Sequence, residues 1–302
     1  MGIALHKRKS SGSTLMTEGT IWKHILLFSI PLILGNMLQQ LYNTVDSIVV
    51  GNSLGSEALA AVGSSSSLIS LLISFSMGAA AGAGVIVSQF IGAQNKKGIH
   101  ESVHTALAIA LILGVVLTVL GITLSPQILR WMGTPDEVMP QSVIYLRLYF
   151  AGLLFSVLYN MASGILNAVG NSKRSLLYLA IASFTNIVLD LLFIPVLKMG
   201  IAGAAIATDI SQVLSAVLCM LYLMRVDESY KVALRKIRIH KEVAVRIIQV
   251  GVPTAIQNTV ISFANVLVQS SVNSYGALAM AGFAAYIKID GFNILPVMSF
   301  SM

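Results

Sequence analysis

Three carboxylates interrupt long apolar runs in this chain: Asp46, Asp190 and Asp209. An ionisable group at the centre of a bilayer costs about 2.5–3.5 kcal/mol on insertion scales, so such residues face protein or water and are functional candidates by default. Each has polar company. Asn186 stands four residues before Asp190, which puts both on one helix face. Gln39, Asn43 and Asp46 follow a 4-then-3 spacing and form a polar stripe on another helix. Thr208 directly precedes Asp209. Carboxylate, amide carbonyl and hydroxyl oxygens are the ligands a hard monovalent cation prefers, and a carboxylate is also a resting place for a proton. The same groups would also serve a hydrogen-bonded network that merely joins helices, at about 0.6 kcal/mol per bond.

The elements that must position these groups are membrane helices. The chain of 302 residues is 56% hydrophobic and 10% charged, with a mean hydropathy of +0.84; a soluble chain carries roughly 25% charged residues. Eight apolar stretches, near 21–50, 58–90, 102–124, 142–168, 175–197, 200–224, 243–272 and 277–302, each approach or exceed the ~20 residues that cross a bilayer as a helix. They are continuously apolar rather than alternating, which excludes a barrel. The first is too long for a cleaved signal peptide and has no small-residue cleavage site. The fold class is therefore an all-α polytopic membrane protein of about eight transmembrane helices. Asp46 lies eight residues before Leu54, Asp190 seven before Leu197, and Thr208 eight after Gly200. At 1.5 Å per residue all three sit roughly 10–12 Å below the same membrane face.

Charge sets the expected orientation. Fifteen of the 19 basic residues fall at the N-terminus, after the second and fourth stretches, or around the connection after the sixth. The positive-inside rule puts those segments and the N-terminus in the cytoplasm. Arg130, Arg147, Lys198 and Lys288 are assigned to the other side, with Asp290 beside Lys288 read as interfacial. The net charge of +7 is thus topological, and a nucleic-acid partner is excluded because the basic residues are scattered and lack an aromatic platform. No G-x-x-x-x-G-K-[ST] loop is present, so no nucleotide is hydrolysed by that route. "MGAAAGAG" (77–84) resembles a phosphate loop only superficially; within an apolar span its small residues let helices approach closely. Cys219 has no ligand-spaced partner and reads as packing, and none of the five histidines forms a metal pair with the acids.

The chain partly repeats itself. "SIPLILGN" (29–36) resembles "GVPTAIQN" (251–258), "ALAAVG" (58–63) resembles "ALAMAG" (277–282), and "SFSM" occurs at 74–77 and again at 299–302. Parallel repeats related by an axis along the membrane normal are a transporter architecture. The expected organisation is a cytoplasmic tail at 1–20, a six-helix lobe at 21–224, a basic cytoplasmic linker at 225–242, and the first two helices of a truncated second lobe at 243–302.

Several stretches in order carry a family resemblance: "NTVDSIVVGNSLGSEALAAVG", "SQFIGAQN", "NAVGNSKRS", "TNIVLDLLFI" and "GIAGAAIAT". Together they resemble the N-terminal two-thirds of a multidrug and toxic compound extrusion (MATE) transporter. The resemblance implies a twelve-helix fold of two lobes around a central cavity, and secondary active efflux of small amphipathic or cationic compounds, without a cofactor, by antiport against sodium ions or protons. It assigns Asp46, Asn186, Asp190 and Thr208 to cation binding and coupling. Gln39, Asn43 and Asp209 are candidates for cavity lining; the acid at 209 departs from the family pattern, where the residue after this Thr is usually apolar. Pro31 interrupts the backbone bonding of the first helix and is the candidate hinge that moves Asp46 between dry and wet surroundings. A monomer in the plasma membrane is implied once the protein is full length. A lipid-linked-saccharide flippase shares the two-lobe plan but calls for a strongly basic cavity, whereas the intramembrane charges here are mostly acidic. An intramembrane aspartyl protease calls for G-x-G-D, and no Gly-Asp pair occurs.

Overall fold

The computed structural model describes residues 21–301, which fold as α1 (Ile21–Leu54), α2 (Ser56–Gly92), α3 (Lys96–Trp131), α4 (Met139–Ala151), α5 (Leu153–Ala168), α6 (Ser172–Leu191), α7 (Ile201–Arg225), α8 (Lys241–Asn273) and α9 (Ala277–Ser301). The tail at 1–20 lies outside the described residues. Five helices (α2, α3, α7, α8, and α6 with its π-helical extension) are long and apolar enough to cross a membrane, and α4 with α5 makes a sixth span bent by 48°. With α1 of 34 residues and α9 of 25, the described chain forms eight membrane-length rods. The expectation of an all-helical polytopic membrane protein holds.

α2 is the central helix, with α3, α5, α8 and α9 packed round it. Its small residues explain the closeness. A Cβ added at Gly78 would collide with the backbone of Ala255, and one at Gly82 with the backbone of Gly251 and the carbonyl of Ile247. Gly-x-x-x-Gly on α2 thus meets Gly-x-x-x-Ala on α8, backbone to backbone, as the reading of residues 77–84 anticipated. Without a hydrophobic drive between helices in lipid, this close van der Waals packing supplies much of the association. Polar bonds between the same two helices reinforce it further along: Ser74 to Ser262 at 2.6 Å, and the Ser67 hydroxyl to the Gln269 side-chain oxygen at 3.5 Å.

Two irregularities lie beside the candidate residues. The fourth stretch, expected as one rod over 142–168, breaks at Gly152. The Asp209 carboxylate of α7 lies against Gly152 and occupies the space that a Cβ there would need; a side chain inserted at the backbone ladder is a recognised cause of kinking. The fifth stretch changes at Leu192–Val196 to a π-helix. Pro195 has no N–H for an α-helical bond, and the N–H of Leu197 reaches back instead to the Leu192 carbonyl at 2.9 Å. This irregular segment starts two residues after Asp190. Pro31, by contrast, lies inside a helix assigned as continuous from Ile21 to Leu54.

Candidate functional site

α1, α6 and α7 pack side by side and bring most of the candidate polar residues together. Asp190 is fully buried, with 0% of its surface exposed, and Asn186, Asp46 and Thr208 are 1%, 6% and 7% exposed. Asn186 and Thr208 line one small cavity with Tyr42, Ser183, Ser211 and Gln212, with about 10 Å³ free, room for a single water or ion. Asp190 stands one turn beyond Asn186 on α6, within the electrostatic reach of Asp46 on α1.

The hydrogen-bonding pattern marks this region as unusual. Both carboxylate oxygens of Asp190, both amide atoms of Asn186, the Ser183 hydroxyl and one oxygen of Asp46 are buried and have no hydrogen-bond partner in the structure. Roughly nine in ten buried polar groups in native proteins are paired, and each orphan costs about 1–3 kcal/mol, more when charged. Asn186 and Ser183 line the small cavity, Asp46 and Asp190 do not, and orphaned groups in and beside it leave a place for a ligand that supplies the missing partner. Carboxylate and amide oxygens with a nearby threonine hydroxyl suit a hard cation or a proton carried as water.

Other candidates lie elsewhere. Gln39 is exposed and Asn43 half-buried on the same α1 stripe, and neither lines the cavity. Gln212 of α7 lines the cavity together with Tyr42 of α1. Asp209 points away from Thr208, into the bend at Gly152.

Two tyrosines and a lysine lie near these acids although their residue types did not single them out as site residues in the sequence. Tyr145 lies within the field of Asp46, Asp190 and Asp209. Tyr149, one turn further on α4, lies near Asp46, Asp209 and Tyr42. Their i, i+4 spacing in an apolar span was the available signal. Lys288 is the greater surprise. It was assigned to the outer side, yet it sits 11 residues into α9, roughly 17 Å from the start of the helix, and the charged group it senses is Asp46. A lysine that deep in an apolar span is itself a functional signal.

A bundle of eight membrane-length helices with a cluster of buried carboxylate and amide groups among them defines a polytopic helical membrane protein. The MatE family profile matches residues 31–192, more than half of the chain, and the chain belongs to that family. It is 35% identical over 283 residues, 94% of its length, to the probable multidrug resistance protein YpnP of Bacillus subtilis (strain 168), of which it covers 63%. It superposes with a TM-score of 0.82 on the outward-facing conformation of a multidrug resistance MATE family transporter of the MOP superfamily, at 31% identity, covering 92% of this chain and 62% of that one. An inward-facing conformation of such a transporter gives a TM-score of 0.81 at 31% identity, with 87% and 60% covered. The chain thus spans about 63% of the length of the curated relatives it matches.

Proposed function

We propose that this chain carries the cation-coupling half of a secondary multidrug efflux transporter, exporting amphipathic and cationic compounds against sodium ions or protons. The observation that carries the reading is the group of buried, unpartnered polar atoms of Asp46, Asn186 and Asp190 beside the cavity that Asn186 and Thr208 share. In a region of low dielectric a carboxylate attracts a cation strongly, while neutral oxygens replace the lost hydration. Protonation of Asp46 or Asp190 removes that attraction, so protons and sodium ions compete for one place and either gradient can drive the cycle. Multidrug resistance and multidrug export are what the relatives' names state of those proteins, and they give this reading its substrate class.

The organisation that accompanies it is a six-helix lobe over 21–224, a basic linker over 225–242 and the start of a second lobe from 243. The N-terminus and linker face the cytoplasm of a plasma-membrane protein that works as a monomer. The test joins this chain to the final third of a relative and measures sodium- or proton-dependent drug efflux. Asp190→Asn keeps the shape and removes the charge; it is expected to insert normally and lose coupled efflux. Wild-type efflux from Asp190→Asn overturns the reading.

A further inference from the structure

The connection between α7 and α8 is strapped to the start of α3 at two points. The Ala233 N–H donates to His104 Nε2 at 3.1 Å, and the His240 N–H donates to the Thr105 hydroxyl at 3.1 Å. Both acceptors are fully buried. His240 is also the residue from which α8 starts, its carbonyl accepting from the Ala244 N–H at 2.8 Å. The second anchor therefore sets where α8 begins.

The neighbours of His104 dictate its proton. Nδ1 lies 2.7 Å from the His100 carbonyl oxygen, which can only accept, so Nδ1 carries the hydrogen. Nε2 faces a backbone N–H, which can only donate, so Nε2 is bare. A proton added at Nε2 would set one N–H against another and break the first anchor. The second anchor responds differently. His240 accepts from Arg238 through Nε2 at 3.1 Å, and its Nδ1 stands 3.8 Å from a Glu101 oxygen. A proton on His240 gives up Arg238 and strengthens the attraction to Glu101. Of the remaining titratable groups, His100 stacks on His104 with ring centroids 4.0 Å apart, and its protonation adds like-charge repulsion to the release. Lys241 and Glu242 begin α8. His100 and Ala233 also line a cavity of about 660 Å³ with Lys96, Asp227, Glu228 and Lys236, which brings water to the edge of the buried ring.

From this geometry we infer that His104 is a pH-sensitive latch on the connection between α7 and α8. Neutral, it holds Ala233 against α3; protonated, it lets that end go while His240 stays anchored at Thr105. The latched state excludes the extra proton, so the latch holds at high pH and is lost as pH falls. The inference is independent of the proposed cation site. On the orientation proposed above, it loosens the strap between the two lobes when the cytoplasm acidifies.

The experiment follows amide hydrogen exchange of the 302-residue chain in nanodiscs, residue by residue, from about pH 8 to about pH 5, the range in which imidazoles titrate. Each rate is compared with that of an unstructured amide at the same pH. Protection at Ala233 is expected to fall by about tenfold per pH unit once His104 takes up its proton, while His240 keeps its protection. His104→Gln puts a non-titrating amide oxygen near the place of Nε2 and is expected to abolish the fall; His100→Gln and His240→Gln are expected to retain it. Protection at Ala233 that ignores pH, an equal loss at His240, or a fall that persists in His104→Gln overturns the latch. Nitrogen-15 spectra of the histidine rings test it without relying on any variant's fold. His104 is expected to be the neutral Nδ1–H form at high pH and to titrate with the same midpoint as the Ala233 protection. An Nε2–H form, or a separate midpoint, overturns the inference.

Discussion

Asp209 and Gly152 show how one residue pair shapes a helix. The carboxylate takes the space beside the glycine, and the span bends there by 48°. Gly152→Ala puts a methyl group into the Asp209 carboxylate, an overpacking that costs about 1–3 kcal/mol. The thermal midpoint of the solubilised protein is expected to fall, while Gly282→Ala, with no atom within 4 Å of the added Cβ, leaves it nearly unchanged. Equal midpoints for the two variants would show that the bend does not depend on the contact. Asp209→Asn keeps the shape that fills the space beside Gly152 and is expected to keep both the bend and cation binding, with any effect confined to substrate range. At this scale the sequence was informative wherever polarity stands out against an apolar run: Asp46, Asn186, Asp190 and Thr208 could be read from type, spacing and depth. Asp209 could be read as unusual but not placed, because adjacent helix positions differ by about 100° and only packing decides which neighbour each one meets. Lys288 was misread because it was counted for the orientation rule and its depth in the span was ignored.

Among the elements, the seam between α2 and α8 is the most closely packed part of the molecule. Two glycine-containing stripes meet backbone to backbone, and Ser74 and Ser262 bond across the seam at 2.6 Å. Replacing Gly82 with leucine forces four carbons into the backbone of α8, which cannot yield as a flexible side chain can. The expected result is separation of the two helices near Gly251. With Ser74→Cys, Ser262→Cys and Cys219→Ser, a disulfide should form readily in the parent and only weakly when Gly82→Leu is added; undiminished cross-linking would mean that the polar bonds alone hold the seam. The tendency to pack closely was legible in "MGAAAGAG", since small residues at four-residue spacing have few other uses in lipid. The partner was not legible, because a stripe of small residues does not say which helix fills it. Nor was the π-helical turn at Leu192–Val196. Pro195 announced a disturbance, but whether the backbone answers with a kink or a π-turn depends on the neighbours that anchor the flanking residues.

For the whole molecule, the internal repeat had already indicated a boundary near the basic linker, and the helices on either side of it are joined by the α2–α8 and α1–α9 contacts. In the alternating-access cycle proposed above, contacts of this kind open and close while the proposed cation site stays with α1, α6 and α7. The chain covers 63% of the length of its curated relatives, and the outward faces of α8 and α9 carry exposed Ile248, Val252, Ile256, Val260, Phe263 and Leu267, with Leu278 and Ile289. Those faces are apolar enough to meet lipid, so the 302 residues are expected to insert and fold without the rest of such a relative. On the proposed two-lobe reading transport needs that rest, because a substrate cavity with two access states needs two walls, and these 302 residues supply two helices of the second. The expected outcome is that this chain, reconstituted alone, binds sodium in a manner that depends on Asp190 but drives no substrate counterflow, whereas the same chain joined to a relative's final third does both. Counterflow by the 302 residues alone, at the rate of the joined protein, would show that the described helices contain a complete translocation path and that the two-walled cavity is unnecessary.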